Sequence, residues 1–152
     1  MSLLLSLPDS AATDALGGRL AQCAPPSAIV YLHGELGAGK STLARALLRA
    51  LGVEGPIKSP TYTLVERYAL AEGEAVHLDL YRIAQSEELD FLGLDELVSQ
   101  ARLWLVEWPE RGAGALPRAD LDIALAVEGT GRRVRLQANG EIGEQWIAAL
   151  EK

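Results

Sequence analysis

The stretch "HGELGAGKST", His33–Thr42, decides the fold. From Gly34 to Ser41 it fits the pattern G-x-x-x-x-G-K-[ST]. Each fixed position has a physical task. The glycines let the backbone turn tightly and bring its N–H groups close to phosphate oxygens. Lys40 places a point charge where β- and γ-phosphates would lie, and Ser41 offers a hydroxyl to Mg²⁺. "AIVYLH", Ala28–His33, precedes the loop and reads as a buried strand of a parallel sheet. After the loop, "STLARALLRALG" repeats leucine at Leu43, Leu47 and Leu51. That is an amphipathic helix, with Gly52 at its expected C-terminal position. Its N-terminal dipole points at the same anion. Within the motif, Glu35 is a position that points away, and His33 is a strand-end residue.

Working outward, Leu3–Leu7 reads as a first strand, ended by Pro8 and Asp9. Ala12, Leu16, Leu20 and Cys23 then recur at helical spacing, with Asp9 or Ser10 as N-cap. "KSPTYTLVERYAL" begins with a turn at Ser59–Pro60 and continues as a strand. "VHLDLYRI" alternates, with Val76, Leu78 and Leu80 facing one way and His77, Asp79 and Tyr81 the other. "SEELDFLGLDELVSQ" reads as two short helices broken at Gly93. "LWLVEW", Leu103–Trp108, is another buried strand. "DLDIALAVE" and "RRVRLQA" form a hairpin through Gly129-Thr130-Gly131, and "EIGEQWIAALEK" is a closing helix. The order predicts an α/β fold: a mixed, mostly parallel P-loop-type sheet flanked by helices, with a C-terminal β-hairpin and helix. At 152 residues, one domain over 1–152 is expected.

The 21 acidic residues outnumber the 14 basic ones, which leaves a formal charge of −7. That balance argues against strong unaided binding of nucleic acid. A role beside RNA held by a partner stays compatible with it. The one cysteine, Cys23, cannot form an internal disulfide, which suits a reducing compartment and excludes a cysteine-rich zinc site. Its bland reading is a small apolar residue on a helix face. "MSLLLSLPDS" has no basic residue before its apolar run and reads as a strand, not a signal peptide. No run approaches the ~18 apolar residues of a membrane helix. A cytoplasmic protein is expected.

Two carboxylates stand out in apolar strands, Asp79 and Glu107. A magnesium nucleotide takes a carboxylate from the end of a neighbouring strand. Each also has a plainer reading, a strand-end acid satisfied by a backbone or arginine partner. "KSPTYT", Lys58–Thr63, carries hydroxyls where switch-type proteins sense a γ-phosphate, and it reads equally as a turn and strand. The acids of "SEELDFLGLDE" read as a solvated face.

"GELGAGKST", "KSPTYTLVERY", "HLDLYRI", "EELDFLGLDE" and "LVEWPERG" occur in this order and spacing. Together they resemble the TsaE family, also called YjeE, of bacterial P-loop ATPases. The likeness runs from about Leu7 to about Arg133. The resemblance implies a protein that binds TsaB and TsaD, hydrolyses ATP to ADP, and supports threonylcarbamoyladenosine modification of tRNA, which it meets only through that complex. It places the nucleotide loop on Gly37, Ala38, Gly39, Lys40, Ser41 and Thr42. Ser41 and Glu107 fall on the family's Mg²⁺ ligands. Asp79 falls on the aspartate essential for hydrolysis, near metal and water. Thr61 and Thr63 fall on switch-like threonines, so Lys40, Thr63 and Asp79 make up the catalytic set. Trp108 and Arg132 fall beside the nucleotide. Ser10 falls on the adenine side, where the family often has an acid; this departure bears on the base contact.

Two other functions fit the same loop. One is a small-molecule kinase, although "SPTYT" stands where acceptor-binding acids belong and no arginine-rich lid is evident. The other is a nucleotide-gated binding module without useful hydrolysis. No arginine finger is obvious in the chain, so slow turnover without partners is expected.

Overall fold

A computed structural model describes residues 1–94, 96 and 101–152. Seven strands form one sheet: β1 (Ser2–Leu7), β2 (Ala28–His33), β3 (Val65–Ala69), β4 (Glu74–Asp79), β5 (Ala101–Glu107), β6 (Leu121–Glu128) and β7 (Gly131–Ala138). Their spatial order is β1-β7-β6-β2-β5-β4-β3. The centre, β6-β2-β5-β4, is parallel, and the pairings toward both edges are antiparallel. Three α-helices are described: α1 (Ser10–Gln22), α2 (Lys40–Ala50) and α3 (Glu141–Leu150).

Alternation along the strands divides the core in two. Ala28, Val30 and Leu32 of β2 join Leu103 and Leu105 of β5 on one face. There all three helices cover the sheet, through Leu16 and Leu20, Leu43 and Leu47, and Trp146 and Ile147. The opposite face carries Val76, Leu78, Trp104 and Val106, covered by Leu80, Ile83, Leu89 and Leu94. Asp9 caps α1 by accepting from the Ala12 amide at 2.9 Å, so Ser10 is the first helical residue.

Several local expectations are refined. The strand expected directly after Pro60 begins at Val65, because Pro60 starts a turn in which the Leu64 amide donates to its carbonyl at 2.8 Å. The first short helix is a 3₁₀ segment, Ser86–Leu92. The second runs into residues 95 and 97–100, outside the described residues. The hairpin turn is Gly129–Thr130 alone, since Gly131 already pairs with Glu128. The polar side of β4 is not solvated: His77 and Asp79 are buried, as are their apolar neighbours. They lie on the α2 side of the sheet, in register with β5, where Asp79 pairs with Glu107. Among the described residues, no helix is long and apolar enough to cross a membrane.

Candidate nucleotide site

The sheet delivers its chemistry at the C-terminal ends of three adjacent parallel strands. β2 runs into the glycine loop, β4 ends at Asp79 and β5 ends at Glu107. Crevices at such strand ends are where open α/β sheets bind ligands. Gly34 has φ 145°, and a Cβ there would lie 2.6 Å from the Leu125 carbonyl oxygen. Gly39 caps α2 at φ 105°. Neither conformation suits an L side chain.

Carbonyl oxygens repel an anion, and two cations engage four of those in the loop. Arg132, projecting from β7, donates to the Ala38 carbonyl at 3.0 Å and the Gly37 carbonyl at 3.1 Å. Lys40 Nζ donates to the carbonyls of Gly34 and Glu35. Lys40 is 5% exposed and lies 4.0 Å from the centroid of the Trp108 ring. Burial pushes its ammonium below the ordinary lysine range, opposed by the charges of Glu107, Asp79 and Glu110. An arriving phosphate would therefore meet a cation already stripped of much of its water.

Ser41, in the first turn of α2, donates its hydroxyl to both Glu107 oxygens at 3.1 Å. Asp79 accepts from Thr61 Oγ1 at 3.1 Å and from the Tyr81 amide at 3.0 Å. His77 Nε2 lies 2.7 Å from Glu107 Oε2. Lys40, His77, Asp79 and Glu107 are, with Thr13, the fully buried polar residues described. Buried charge this concentrated is expensive unless it serves a ligand or is tightly paired. Backbone strain gathers here too. The non-glycine residues described at positive φ are Leu64, whose carbonyl accepts from the Asp79 amide, and Trp108, which covers Lys40. Such conformations cost of order 1–3 kcal/mol each and persist where the surroundings enforce them.

These groups line a cavity of about 230 Å³, with Gly37, Gly39, Lys40, Ser41, Thr42, Thr61, Asp79, Glu107, Trp108 and Arg132 in its wall. A second cavity of about 210 Å³ shares Gly39, Thr42 and Arg132 with it and adds Asp9, Ser10, Thr13 and Thr130. Ser10 thus borders the far side of the loop, away from Asp79. Ala38 is buried beneath the loop. Thr63 is not brought in: its hydroxyl donates to Glu66 at 3.0 Å, and it lines neither cavity. His33 turns away and meets Asp122 at 2.6 Å.

His77 was not singled out by sequence reasoning. The signal was its period-two alignment with Asp79. Among the described residues no three His, Cys, Asp or Glu side chains converge as a metal site. Ser41 and Glu107 nevertheless supply hard oxygen donors side by side. That set suits Mg²⁺, which takes few protein ligands and completes its shell with water and phosphate.

The sequence model of the family described as "Threonylcarbamoyl adenosine biosynthesis protein TsaE" matches residues 7–134. A protein of Haemophilus influenzae named tRNA threonylcarbamoyladenosine biosynthesis protein TsaE is 43% identical over 122 residues, 80% of this chain and 77% of its own length. Its namesake in Streptomyces coelicolor is 39% identical over 139 residues, covering 88% of this chain and 93% of its own. The crystal structure of YdiB from Bacillus subtilis superposes with a TM-score of 0.84 at 26% identity, over 99% of this chain and 95% of that one. Loop, strand order and relatives agree, and the chain belongs to the TsaE family of tRNA threonylcarbamoyladenosine biosynthesis.

Proposed function

We propose that the chain is one ATPase domain over residues 1–152 that acts in the cytoplasm on a TsaB–TsaD complex. It hydrolyses ATP to drive or reset threonylcarbamoyl transfer to tRNA. The observation that carries this reading is the convergence of Lys40, Ser41, Asp79 and Glu107 on one cavity below a glycine loop.

The loop from Gly37 to Thr42 cradles the phosphates, and Lys40 leaves the carbonyls of Gly34 and Glu35 for the β- and γ-oxygens. Ser41 and Glu107 hold Mg²⁺, with Asp79 beside them. Mg²⁺, when bound, neutralises charge on the phosphate oxygens. Asp79 orients the attacking water, using carboxylate oxygens that now accept from Thr61 and the Tyr81 amide. Thr63 reaches the γ-phosphate if the segment from Ser59 to Leu64 rearranges around the nucleotide. Trp108 and Arg132 flank the phosphates, and Ser10 borders the space left for the base. The acidic surface leaves tRNA to the partners.

The test is ATP turnover and tRNA modification, with and without TsaB–TsaD, for wild type and Asp79→Ala. Turnover that rises with the partners, and loss of both activities with nucleotide binding retained in Asp79→Ala, is the expected result. Full turnover alone, indifferent to the partners, contradicts it. Modification that survives in Asp79→Ala makes the chain a nucleotide-gated module instead.

A further inference from the structure

We infer that His77 is a positioning residue for Glu107: it anchors one carboxylate oxygen and so fixes the orientation of the carboxylate beside Ser41. This rests on the reading of Glu107 as a magnesium ligand. His77 and Glu107 are each 2% exposed, and they come from neighbouring strands of the parallel centre. Nε2 of His77 lies 2.7 Å from Oε2 of Glu107. The carboxylate accepts, so the Nε2 end of the ring is the one that donates to it.

Nδ1 is the one fully buried side-chain nitrogen or oxygen described that has no partner. A core residue kept for packing alone would be apolar and leave no orphan. The ring therefore serves its other end, which meets Glu107. Without it, Oε2 would keep only the Ser41 hydroxyl, which already divides itself evenly between both oxygens at 3.1 Å and sets no preference. The carboxylate could then rotate about its last bond. Partners that orient a metal-ligating carboxylate are worth about 10–100-fold in metal affinity.

The experiment titrates Mg²⁺ into protein with a non-hydrolysable ATP analogue and reads nucleotide affinity by calorimetry. Variants are His77→Leu, His77→Gln, His77→Asn and Glu107→Gln, each checked by thermal unfolding. Gln carries an amide donor at the reach of Nε2; Asn is one methylene short. We expect half-saturating Mg²⁺ to rise about tenfold or more in Leu and Asn and to stay near wild type in Gln. Affinity without Mg²⁺ should be unchanged in all three, which a general folding defect would not allow. If Leu does not fold, the comparison of Asn with Gln decides. Equal behaviour of Asn and Gln, or wild-type Mg²⁺ dependence in Leu, overturns the role of His77. If Glu107→Gln loses the Mg²⁺ response while Leu keeps it, only the His77 assignment falls. If wild type itself ignores Mg²⁺, the reading of Glu107 falls and takes this one with it.

Discussion

Gly17 and Gly18 are adjacent in α1, yet substituting alanine should move stability in opposite directions. A Cβ on Gly17 would lie 2.5 Å from Ala46 Cβ and 2.9 Å from both the Ala46 carbonyl carbon and the Leu47 amide nitrogen of α2. Carbon atoms rest about 3.5–4.0 Å apart, so the two helices must separate by about 1 Å where they touch. Overpacking of this kind costs about 1–3 kcal/mol. Two of the three neighbours are backbone atoms that cannot swing aside, which favours the upper end. Alanine in a helix recovers about 1 kcal/mol relative to glycine, leaving a net loss of about 2 kcal/mol. At ~2–4 °C per kcal/mol for a chain of this size, Tm falls by about 4–8 °C. A Cβ on Gly18 meets nothing within 4 Å. Gly18→Ala therefore keeps only the helical gain, and Tm rises by about 2–4 °C. Thermal and urea unfolding of the two variants, with unchanged urea m-values, measures both shifts. Because α2 begins at Lys40, parting the helices also displaces the loop, so Gly17→Ala should weaken nucleotide binding and Gly18→Ala should not. A Gly17→Ala protein as stable as wild type, or both variants shifting the same way, refutes the reasoning.

Arg132→Ala removes two hydrogen bonds to the loop, at ~1 kcal/mol each. If the loop must reorder to bind, an ATP analogue binds about 30-fold more weakly by calorimetry. Arg132→Lys should not restore it, since an ammonium lacks the planar fork. Burial, together with the nearby Asp122 charge, pushes the Tyr31 phenol up to about 12. The folded state holds that proton more tightly, so this stabilisation is complete below pH ~10 and is lost as pH rises through about 12. Denaturant titrations across that interval should show wild type losing stability relative to Tyr31→Phe. Gly34→Ala places a methyl against the Leu125 carbonyl at a backbone angle unsuited to L residues. It should abolish nucleotide binding and lower Tm, both read in one scan with and without nucleotide.

The phosphate loop and most elements were legible because their signals are local. A motif of eight residues, a leucine period and a capping aspartate each act within a few positions. What was illegible depends on neighbours distant in sequence. The alternation in "VHLDLYRI" correctly put His77 and Asp79 on one face. It could not tell that this face is buried on the helix-covered side of the sheet, so His77 passed as an ordinary polar position. Arg132 could be placed on a hairpin from its flanks. Only the pairing of β6 with β2 brings that hairpin over the loop carbonyls. Thr61 and Thr63 have the same residue type and spacing. The turn after Pro60 aims one at Asp79 and the other at Glu66.

The first strand pairs with the last, Ser2 opposite Gln137, and β2 lies between β6 and β5. During synthesis, therefore, the chain's earliest apolar strands emerge with no sheet partner available. Elongation proceeds at about 5–20 residues per second, and about 100 residues separate the glycine loop from Arg132, so the wait lasts about 5–20 s. Throughout it the loop has its glycines but not the arginine that holds two of its carbonyls. A nascent chain cannot be rescued early by nucleotide, and an apolar strand waiting that long is a natural client for a chaperone. The nucleotide site and the finished sheet should mature together, once β7 has emerged.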